Sequence, residues 1–349
     1  MTFPGFQPLI DKLMRHEDLT TGEASAAMAE VMGGRAANGH IAALLIGLAM
    51  KGESPAEIVG LARTMREHAV PVSNRLPDVF DMCGTGGDRS GTFNISSCAA
   101  IVVAACGVRV AKHGNRSASS QTGGADVYEA LGIRITAPPA TVERCLSEGG
   151  IGFFFAPTFH PSMKHAAPVR KELGVRTAFN LLGPLTNPAR ASRQIVGVSR
   201  PELTELIARA LLLLGTTRAW VVHGADGIDE LTTAGYTKVS ECRDGAVNTF
   251  YIHPADVGLA KSSTSALLGG DARTNAAMIA SILAGDRGAP RDVVLLNAGA
   301  GLLVAGAVKS VEEGIAQAAR AIDDGRAKRT LDRLVQLSAS EELAAGGVA

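Results

Sequence analysis

The chain is organised around the stretch VFDMCGTGGDRSGTFNISS at residues 79–97. It starts with an apolar run that is typical of a buried strand, and residues 83–92 then hold four glycines in ten positions. Residues 94–106 are apolar or small, which predicts a helix that begins where the loop ends. Because such a loop and a helix N-terminus both present backbone N–H groups, we predict a phosphate or pyrophosphate site here.

A second predicted strand, at residues 108–111, leads into Lys112, His113, Asn115 and Arg116. Open α/β folds bind ligands at the carboxyl ends of their strands, so these side chains are expected beside the glycine loop. A lysine neutralises phosphate as a point charge, and an asparagine amide can hold a carbonyl or an amine. Two alternatives stay open: an ordinary polar strand exit, and glycines that form only a tight turn. The loop lacks the G-x-G-x-x-G spacing of dinucleotide sites.

An adjacent acidic pair, Asp229 and Glu230, follows a predicted strand that ends at His223. Two carboxylates in a glycine-flanked turn are often only a solvated surface. If the crevice holds a pyrophosphate, however, the pair suits Mg²⁺, which prefers a few carboxylates, substrate phosphates and retained water. Both interpretations remain open from the residues alone.

The first 70 residues show only helical patterns. Four helices are predicted, and the last has Ser54 as its N-cap and Pro55 at its first helical position. A linker follows at residues 71–77, and strands and helices alternate afterwards. We therefore expect an α/β protein with a small all-helical domain and a large α/β domain.

The large domain is expected to contain a mostly parallel central sheet covered by helices. An irregular zone at residues 156–188 could carry the chain back to the helical domain. We expect the helical domain at residues 1–72 with a returning segment at about 170–192, and the α/β domain at 78–169 and 193–345. Further strands are predicted at 151–155, 194–198 and 220–223, and C-terminal helices at 274–283, 293–308, 311–322 and 331–337, followed by a frayed tail.

The charge balance argues against nucleic-acid or membrane binding. Lysine plus arginine equals aspartate plus glutamate at 34 each, so no broad basic footprint exists. No apolar stretch reaches the roughly 20 residues of a membrane span, and the N-terminus lacks a secretory pattern. The five cysteines are scattered without metal-ligand spacing, as expected of reduced thiols. We expect a cytoplasmic protein.

Several motifs together resemble the anthranilate phosphoribosyltransferase family of the tryptophan pathway. They are GTGGD at residues 84–88, GTFNISS at 91–97, KHGNR at 112–116, the segment around Arg170, and IDE at 228–230. The resemblance covers nearly the whole chain. It implies the fold of nucleoside phosphorylases and their related phosphoribosyltransferases, and a homodimer joined through the helical domains.

The resemblance also implies a reaction and its site. The substrates would be 5-phosphoribosyl 1-diphosphate and anthranilate, and the products N-(5-phosphoribosyl)anthranilate and diphosphate. Mg²⁺, two ions per subunit, would bind at Ser96, Asp229 and Glu230. Anthranilate would bind at Gly84, His113, Asn115 and Arg170. The phosphoribosyl donor would bind at Gly84, Gly87, Asp88, Thr92, Asn94, Ile95, Ser96, Ser97, Lys112, His113, Gly114, Asn115, Arg116, Ser117, Ala118, Ser119, Ser120 and Gly124.

The expected chemistry needs no strong base. An arylamine is weakly basic and can lose its proton after the new bond forms, so no catalytic base is expected. Negative charge builds on the leaving diphosphate, and Lys112 is expected to stabilise it. Two positions depart from the family pattern. Arg89 stands where glycine is common, and Gly124 stands where many relatives have serine or alanine. Two alternatives remain, a pyrimidine nucleoside phosphorylase and a non-enzymatic nucleic-acid-binding relative of the same fold.

Overall fold

The computed structural model describes residues 3–73, 76–117 and 121–340. Its centre is a single seven-stranded sheet. The strands are β1 (Phe80–Gly84), β2 (Val110–Gly114), β3 (Ile151–Phe155), β4 (Arg193–Gly197), β5 (Arg218–Gly224), β6 (Thr237–Arg243) and β7 (Ala246–Ile252). Their order across the sheet is β3-β2-β1-β4-β5-β6-β7. The first five strands are parallel, and β6 and β7 form an antiparallel edge.

Four helices precede the sheet, as predicted. Thr20 and Ser54 each form a capping box with a glutamate three residues later, and Pro55 opens the last helix where its missing N–H costs nothing. The helices are α1 (Phe6–Met14), α2 (Thr21–Met32), α3 (Asn38–Lys51) and α4 (Pro55–Glu67).

The remaining helices cover the sheet or connect its strands. They are α5 (Ile95–Ala105), α6 (Gly124–Ala130), α7 (Pro139–Gly149), α8 (Ala156–Phe159), α9 (Ala167–Leu173), α10 (Ala178–Leu182), α11 (Leu203–Leu213), α12 (Ala272–Leu283), α13 (Ala289–Val304), α14 (Val311–Asp323) and α15 (Arg326–Ala339). Short 3₁₀ turns lie at Pro161–His165, Gly183–Thr186, Pro254–Val257 and Thr264–Leu267.

The strands bury both faces of the sheet, because successive side chains point in opposite directions. Ile195 and Trp220 pack into the apolar cluster that contains α5 and α13. Val196 and Val221, each one residue further along, pack into a second cluster with α1–α4 and α11. The segment with α9 and α10 joins this second cluster and contacts α3 and α4. The fold-class prediction, a helical part and a mostly parallel sheet covered by helices, is confirmed.

Several element boundaries differ from the predictions, and one pair of strands was missed. Strand β2 does not end at Ala111, because its parallel pairing with β3 continues from Lys112 with Phe153 to Gly114 with Phe155. Helix α13 ends at Val304 and not at 308, and Gly306 has the positive φ of 77° that commonly ends a helix. The antiparallel pair β6 and β7 was not predicted. The tail predicted to fray lies mostly outside the described residues, which end at 340.

Parallel pairing places the carboxyl ends of β1, β2, β4 and β5 at one edge of the sheet. The loops that follow β1, β2 and β5 carry most of the residues predicted to bind ligands. No helix within the described ranges has the length and apolar character needed to span a membrane.

Candidate active site

The glycine loop, residues 85–92, leaves β1 and leads through Asn94 into α5. Its shape depends on backbone conformations that favour glycine: Gly86, Gly87 and Gly91 have φ of 67°, 76° and 71°. At Gly87 a Cβ atom would also collide with the guanidinium of Arg176. The loop therefore needs glycine for its turns and for close approach of a neighbouring cation.

Arg89 is the fourth residue of this loop with a left-handed backbone, at φ 57°. For a non-glycine residue this conformation costs about 1–2 kcal/mol. The strain explains why glycine suits this position, which is one of the two departures from the family pattern noted above. Asp88 and Thr92 both hydrogen-bond the hydroxyl of Ser90, at 2.6 Å and 3.0 Å.

The acidic pair after β5 lies against the glycine loop and the start of α5. Gly86 donates its N–H to Asp229 Oδ2 at 2.9 Å, and Ser96 donates its N–H to Glu230 Oε1 at 3.1 Å. A Cβ atom at Gly84 would collide with the Asp229 carboxylate. The structure therefore brings Ser96 together with the other two predicted metal-binding residues, although Ser96 lies 134 positions from Glu230 in sequence.

The surroundings of this pair favour a bound cation. Burial raises the pKa of Asp229, and repulsion from Asp88 raises it further. Burial and the neighbouring Asp229 likewise raise the pKa of Glu230, while Lys112 opposes that rise. Carboxylates that are both desolvated and close to like charge gain most from a cation. Among the described residues no group of three or more His, Cys, Asp and Glu side chains is placed to hold a metal on its own.

Lys112 and His113 lie inside β2, and not just after its end as predicted, and both are buried. The His113 N–H donates to Asp81 Oδ1 at 3.1 Å, and His113 Nδ1 lies 3.0 Å from the carbonyl oxygen of Gly183. Since a carbonyl can only accept, Nδ1 carries the proton. Burial, with repulsion from His160, lowers the pKa of His113 to about 3, so its ring is neutral. Its Nε2 is buried without a hydrogen bond from any described residue.

The start of the loop after β2, residues 115–117, is held by its own neighbours in sequence. Asp126 Oδ2 accepts the N–H groups of Ser117 and Gly123, at 3.2 Å and 2.9 Å. Arg116 forms ion pairs with Asp126 at 2.7 Å and Glu129 at 2.8 Å. The predicted donor contacts Ala118, Ser119 and Ser120 lie outside the described residues.

The remaining predicted donor residues are at the start of α5 and α6. Ile95 and Ser97 are buried, and the Ser97 carbonyl accepts from the Tyr128 hydroxyl at 3.0 Å. Gly124 is the first residue of α6, and a Cβ atom there would lie 3.4 Å from Ser97 Oγ, so a small side chain would fit closely. Asn115 uses its Oδ1 to accept the N–H of Arg116 at 2.7 Å.

Arg170 lies on α9, with its guanidinium carbon 5.2 Å from the centre of the Phe179 ring. Burial lowers its pKa, and within the described ranges no carboxylate lies at ion-pair distance. A salt bridge that ties this segment to the helical part, the structural alternative for Arg170, is therefore absent from those ranges. The same segment reaches β2 through Gly183, the acceptor of His113.

Several residues at the site escaped the sequence analysis. Arg176 donates to the Gly86 carbonyl at 2.7 Å. The sequence pointed to it only through its place in the irregular segment 156–188, which is rich in arginine and histidine. Asn187 donates to Asp81 Oδ2 and to the Ala111 carbonyl, both at 2.8 Å, which joins β1 to β2. Asn275 contacts Asn94 from 181 positions away, and no local pattern pointed to it.

Comparison with known proteins identifies the family. A glycosyl transferase family model of the a/b domain matches residues 76–328, and one of the helical bundle domain matches residues 7–69. The anthranilate phosphoribosyltransferase of Symbiobacterium thermophilum is 52% identical over 93% of this chain and 96% of its own length. The chain belongs to the anthranilate phosphoribosyltransferase family.

Solved structures of this family have the same fold. The anthranilate phosphoribosyltransferase of Thermus thermophilus superposes with a TM-score of 0.90 at 44% identity, covering 95% of this chain and 99% of that one. The Saccharomyces cerevisiae enzyme, solved with 5-phosphoribosyl 1-diphosphate (PRPP) and Mg, gives 0.88 at 27% identity, covering 96% and 98%. The predicted family, fold class and enzyme class are confirmed: the chain is a transferase of pentosyl groups in tryptophan biosynthesis.

Proposed function

We propose that the chain transfers the 5-phosphoribosyl group of PRPP to the amine of anthranilate at the edge formed by the loops after β1, β2 and β5. The observation that carries this proposal is the meeting of the glycine loop, the N-terminus of α5 and the acidic pair Asp229 and Glu230. Backbone donors beside a desolvated acidic pair suit a diphosphate that arrives with a cation. The products would be N-(5-phosphoribosyl)anthranilate and diphosphate.

The donor would bind across the two loops after β1 and β2. Loop and helix N–H groups would hold its phosphates, and Asn94 and the residues after β2 would hold the rest of the molecule. Ile95, whose side chain is in the core, can offer only its backbone. The proposed contacts are Gly84, Gly87, Asp88, Thr92, Asn94, Ile95, Ser96, Ser97, Lys112, His113, Gly114, Asn115, Arg116, Ser117, Ala118, Ser119, Ser120 and Gly124.

Mg²⁺ is the proposed cofactor, as in the yeast structure. Asp229 Oδ2 accepts the N–H of Gly86 and Glu230 Oε1 accepts that of Ser96, which leaves lone pairs on these carboxylates for a cation, and Ser96 adds a hydroxyl. We propose two ions per subunit. When bound, the metal would neutralise charge on the diphosphate oxygens.

The residues favour a dissociative transfer without a strong base. The bond between the ribose carbon and the diphosphate oxygen breaks first, the amine nitrogen then bonds to the oxocarbenium-like carbon, and the amine proton leaves to solvent. Lys112, buried and close enough to Glu230 to lower its pKa, would stabilise negative charge on the leaving group. The low pKa of His113 makes it a poor base but leaves Nε2 as a hydrogen-bond acceptor.

Anthranilate would bind between the returning segment and the loop after β2, at Gly84, His113, Asn115 and Arg170. Arg170 supplies a partly buried cation without a carboxylate partner among the described residues, which suits the carboxylate of anthranilate. Its guanidinium carbon lies over the Phe179 ring, a cation–π contact that helps to hold the side chain in place.

Substitution of Arg170 tests the acceptor site. We expect Arg170→Ala to raise the KM for anthranilate about 10- to 100-fold and to leave the KM for PRPP nearly unchanged, because only the acceptor loses a charged partner. Arg144→Ala is the matched control, since that partly buried arginine donates to the C-terminal end of α15. Equal increases in both KM values would reject the assignment.

We further propose the domain division predicted from the sequence and a homodimer joined through the helical part. The exposed Met14 on α1 and Met50 on α3 support such a contact surface. A cytoplasmic location is supported by five cysteines that are all free thiols.

Anthranilate fluorescence tests the reaction itself. With purified protein, PRPP and Mg²⁺, we expect the signal of anthranilate to decay and the phosphoribosyl product to accumulate in equal amounts. Omission of PRPP or addition of a chelator should stop the decay. Persistent fluorescence with well-folded protein under complete conditions would refute the proposed function.

A further inference from the structure

A closed ring of four hydrogen bonds joins three segments at the site. Asn275 Nδ2 donates to Asn94 Oδ1 at 3.0 Å, and Asn94 Nδ2 donates to the Thr122 carbonyl at 3.2 Å. The Thr122 hydroxyl donates to the Gly270 carbonyl at 2.9 Å, and the Gly270 N–H donates to Asn275 Oδ1 at 2.7 Å. The ring thus connects the start of α5, the loop after β2 and the start of α12.

The chemistry of the ring fixes the orientation of both amides. The Gly270 N–H can only donate, so the oxygen of Asn275 must face it and the amide nitrogen must face Asn94. Asn94 then accepts with its oxygen and turns its nitrogen to the Thr122 carbonyl, which can only accept. Every member agrees with its neighbours, so a single orientation of the Asn94 amide is selected.

This arrangement keeps Asn94 from capping its own helix. An asparagine at the N-cap usually accepts an N–H of the first helical turn with its side chain, yet Asn94 forms no such bond. The first turn of α5 is therefore available to other acceptors, and the Ser96 N–H donates to Glu230. Asn275, only 1% exposed, holds the Asn94 oxygen away from the site of anion binding.

We propose that Asn275 is a positioning residue for binding of the phosphoribosyl donor. It acts through Asn94, whose amide it orients, and keeps the N-terminus of α5 open for anionic groups. The inference rests on the proposed function, because it takes Asn94 and the first turn of α5 as donor contacts. It adds a residue of α12 that neither the motifs nor the comparisons assign to the site.

Two substitutions separate orientation from packing. Asn275→Asp retains the shape and the acceptor for Gly270 but removes the donor to Asn94, so the Asn94 amide is expected to turn over. Asn275→Leu removes both bonds. We expect either change to weaken PRPP binding about tenfold, measured by calorimetry with Mg²⁺ and without anthranilate. The KM for anthranilate should change by less than about twofold.

A control and a double-variant cycle exclude a purely structural role. Ser240→Ala removes a buried hydroxyl that bonds Thr204 at 2.9 Å in the sheet, so it should lower thermal stability without changing donor affinity. If Asn275 acts through Asn94, adding Asn275→Leu to Asn94→Ala should weaken binding no further than Asn94→Ala alone.

The outcomes distinguish the two proposals. Wild-type protein that fails to bind PRPP would overturn both. Normal binding by the wild type and by both Asn275 variants would overturn the positioning role alone, as would additive effects in the cycle. Reduced donor affinity with a non-additive cycle would establish that role.

Discussion

The two loops that carry the predicted donor contacts are held in place in opposite ways. The glycine loop after β1 is held by residues far along the chain, with Asp229 143 positions from Gly86 and Arg176 90 positions from it. The start of the loop after β2, residues 115–117, is held by residues within 13 positions, chiefly Asp126 and its ion pair with Arg116, whereas Thr122 near its end bonds to Asn94 and Gly270. The first loop therefore depends on the assembled fold, and the start of the second depends mainly on its own sequence.

This difference has a functional consequence. The groups that hold the glycine loop, the acidic pair above all, are themselves proposed to bind metal and phosphate. Ligand binding and loop conformation are thus coupled at the first loop. At the second loop the holding residues Asp126 and Glu129 are acidic and would repel a phosphate, so they serve to place Arg116 and not to bind the donor.

The largest expected effect comes from removing the charge of the acidic pair. Asp229→Asn with Glu230→Gln retains oxygens that can accept the N–H groups of Gly86 and Ser96 while it removes both negative charges. We expect kcat/KM to fall about a thousandfold and the dependence on Mg²⁺ to weaken.

The matched control for this variant is a second adjacent acidic pair. Asp323 and Asp324 are paired with Arg291 and Arg326 on the C-terminal helices, and their double replacement by asparagine should leave the Mg²⁺ titration unchanged. An unaltered titration for the Asp229 and Glu230 variant would reject the metal assignment and leave only a role in holding the loop.

An intermediate effect is expected from Arg176, the distant cation that contacts the glycine loop. Arg176→Gln loses the bond to the Gly86 carbonyl, so the KM for PRPP should rise about fivefold with little change in melting temperature. Arg63→Ala is the control, because Arg63 also donates to a backbone carbonyl, that of Leu213, on an exposed surface. A lower melting temperature with normal KM would show that Arg176 stabilises the fold and not the loop.

The smallest effect on the reaction is expected from Asp126, which holds the second loop. Burial alone would raise its pKa, but hydrogen bonds from Arg116, Gly123 and Ser117 lower it overall. The pKa of Asp126 is lower in the folded protein than in the unfolded chain, where it is about 4, so the ionised carboxylate stabilises the fold above pH 4. This contribution is lost as the pH falls through the folded-state pKa.

The corresponding experiment compares Asp126→Asn with wild type by denaturant unfolding. At pH 7 the variant should be less stable by about 1 kcal/mol, and the difference should shrink below pH 4, with the KM for PRPP changed by about twofold. A stability difference that stays constant down to pH 3 would mean that shape, and not charge, explains the loss.

The sequence predicted the parts of this fold that have local causes. Ser54, Pro55 and Glu57 indicate the start of helix α4, and the glycines between an apolar run and a helical pattern indicate the glycine loop. The hairpin of β6 and β7 also has a local signal, the dipeptide Asp244-Gly245, whose residues both have the positive φ that a two-residue hairpin turn requires.

Other features depend on tertiary contacts and had no local signal. The extension of β2 through Gly114 follows from pairing with β3, which the residues of β2 alone do not reveal. Asn275 and Asn187 are buried amides whose partners lie 181 and 106 positions away. In the candidate site, sequence motifs thus indicated residues proposed to touch the ligands, and only the structure revealed the residues that orient them.

A calorimetric titration of the wild-type protein with PRPP, carried out with Mg²⁺ and with a chelator, tests the proposed diphosphate site most directly. We expect saturable binding of one donor per chain in Mg²⁺ and binding at least about tenfold weaker with the chelator, because desolvated carboxylates would then face the diphosphate without a cation. Equal affinity under both conditions would contradict the proposal that the acidic pair and Mg²⁺ form the diphosphate site.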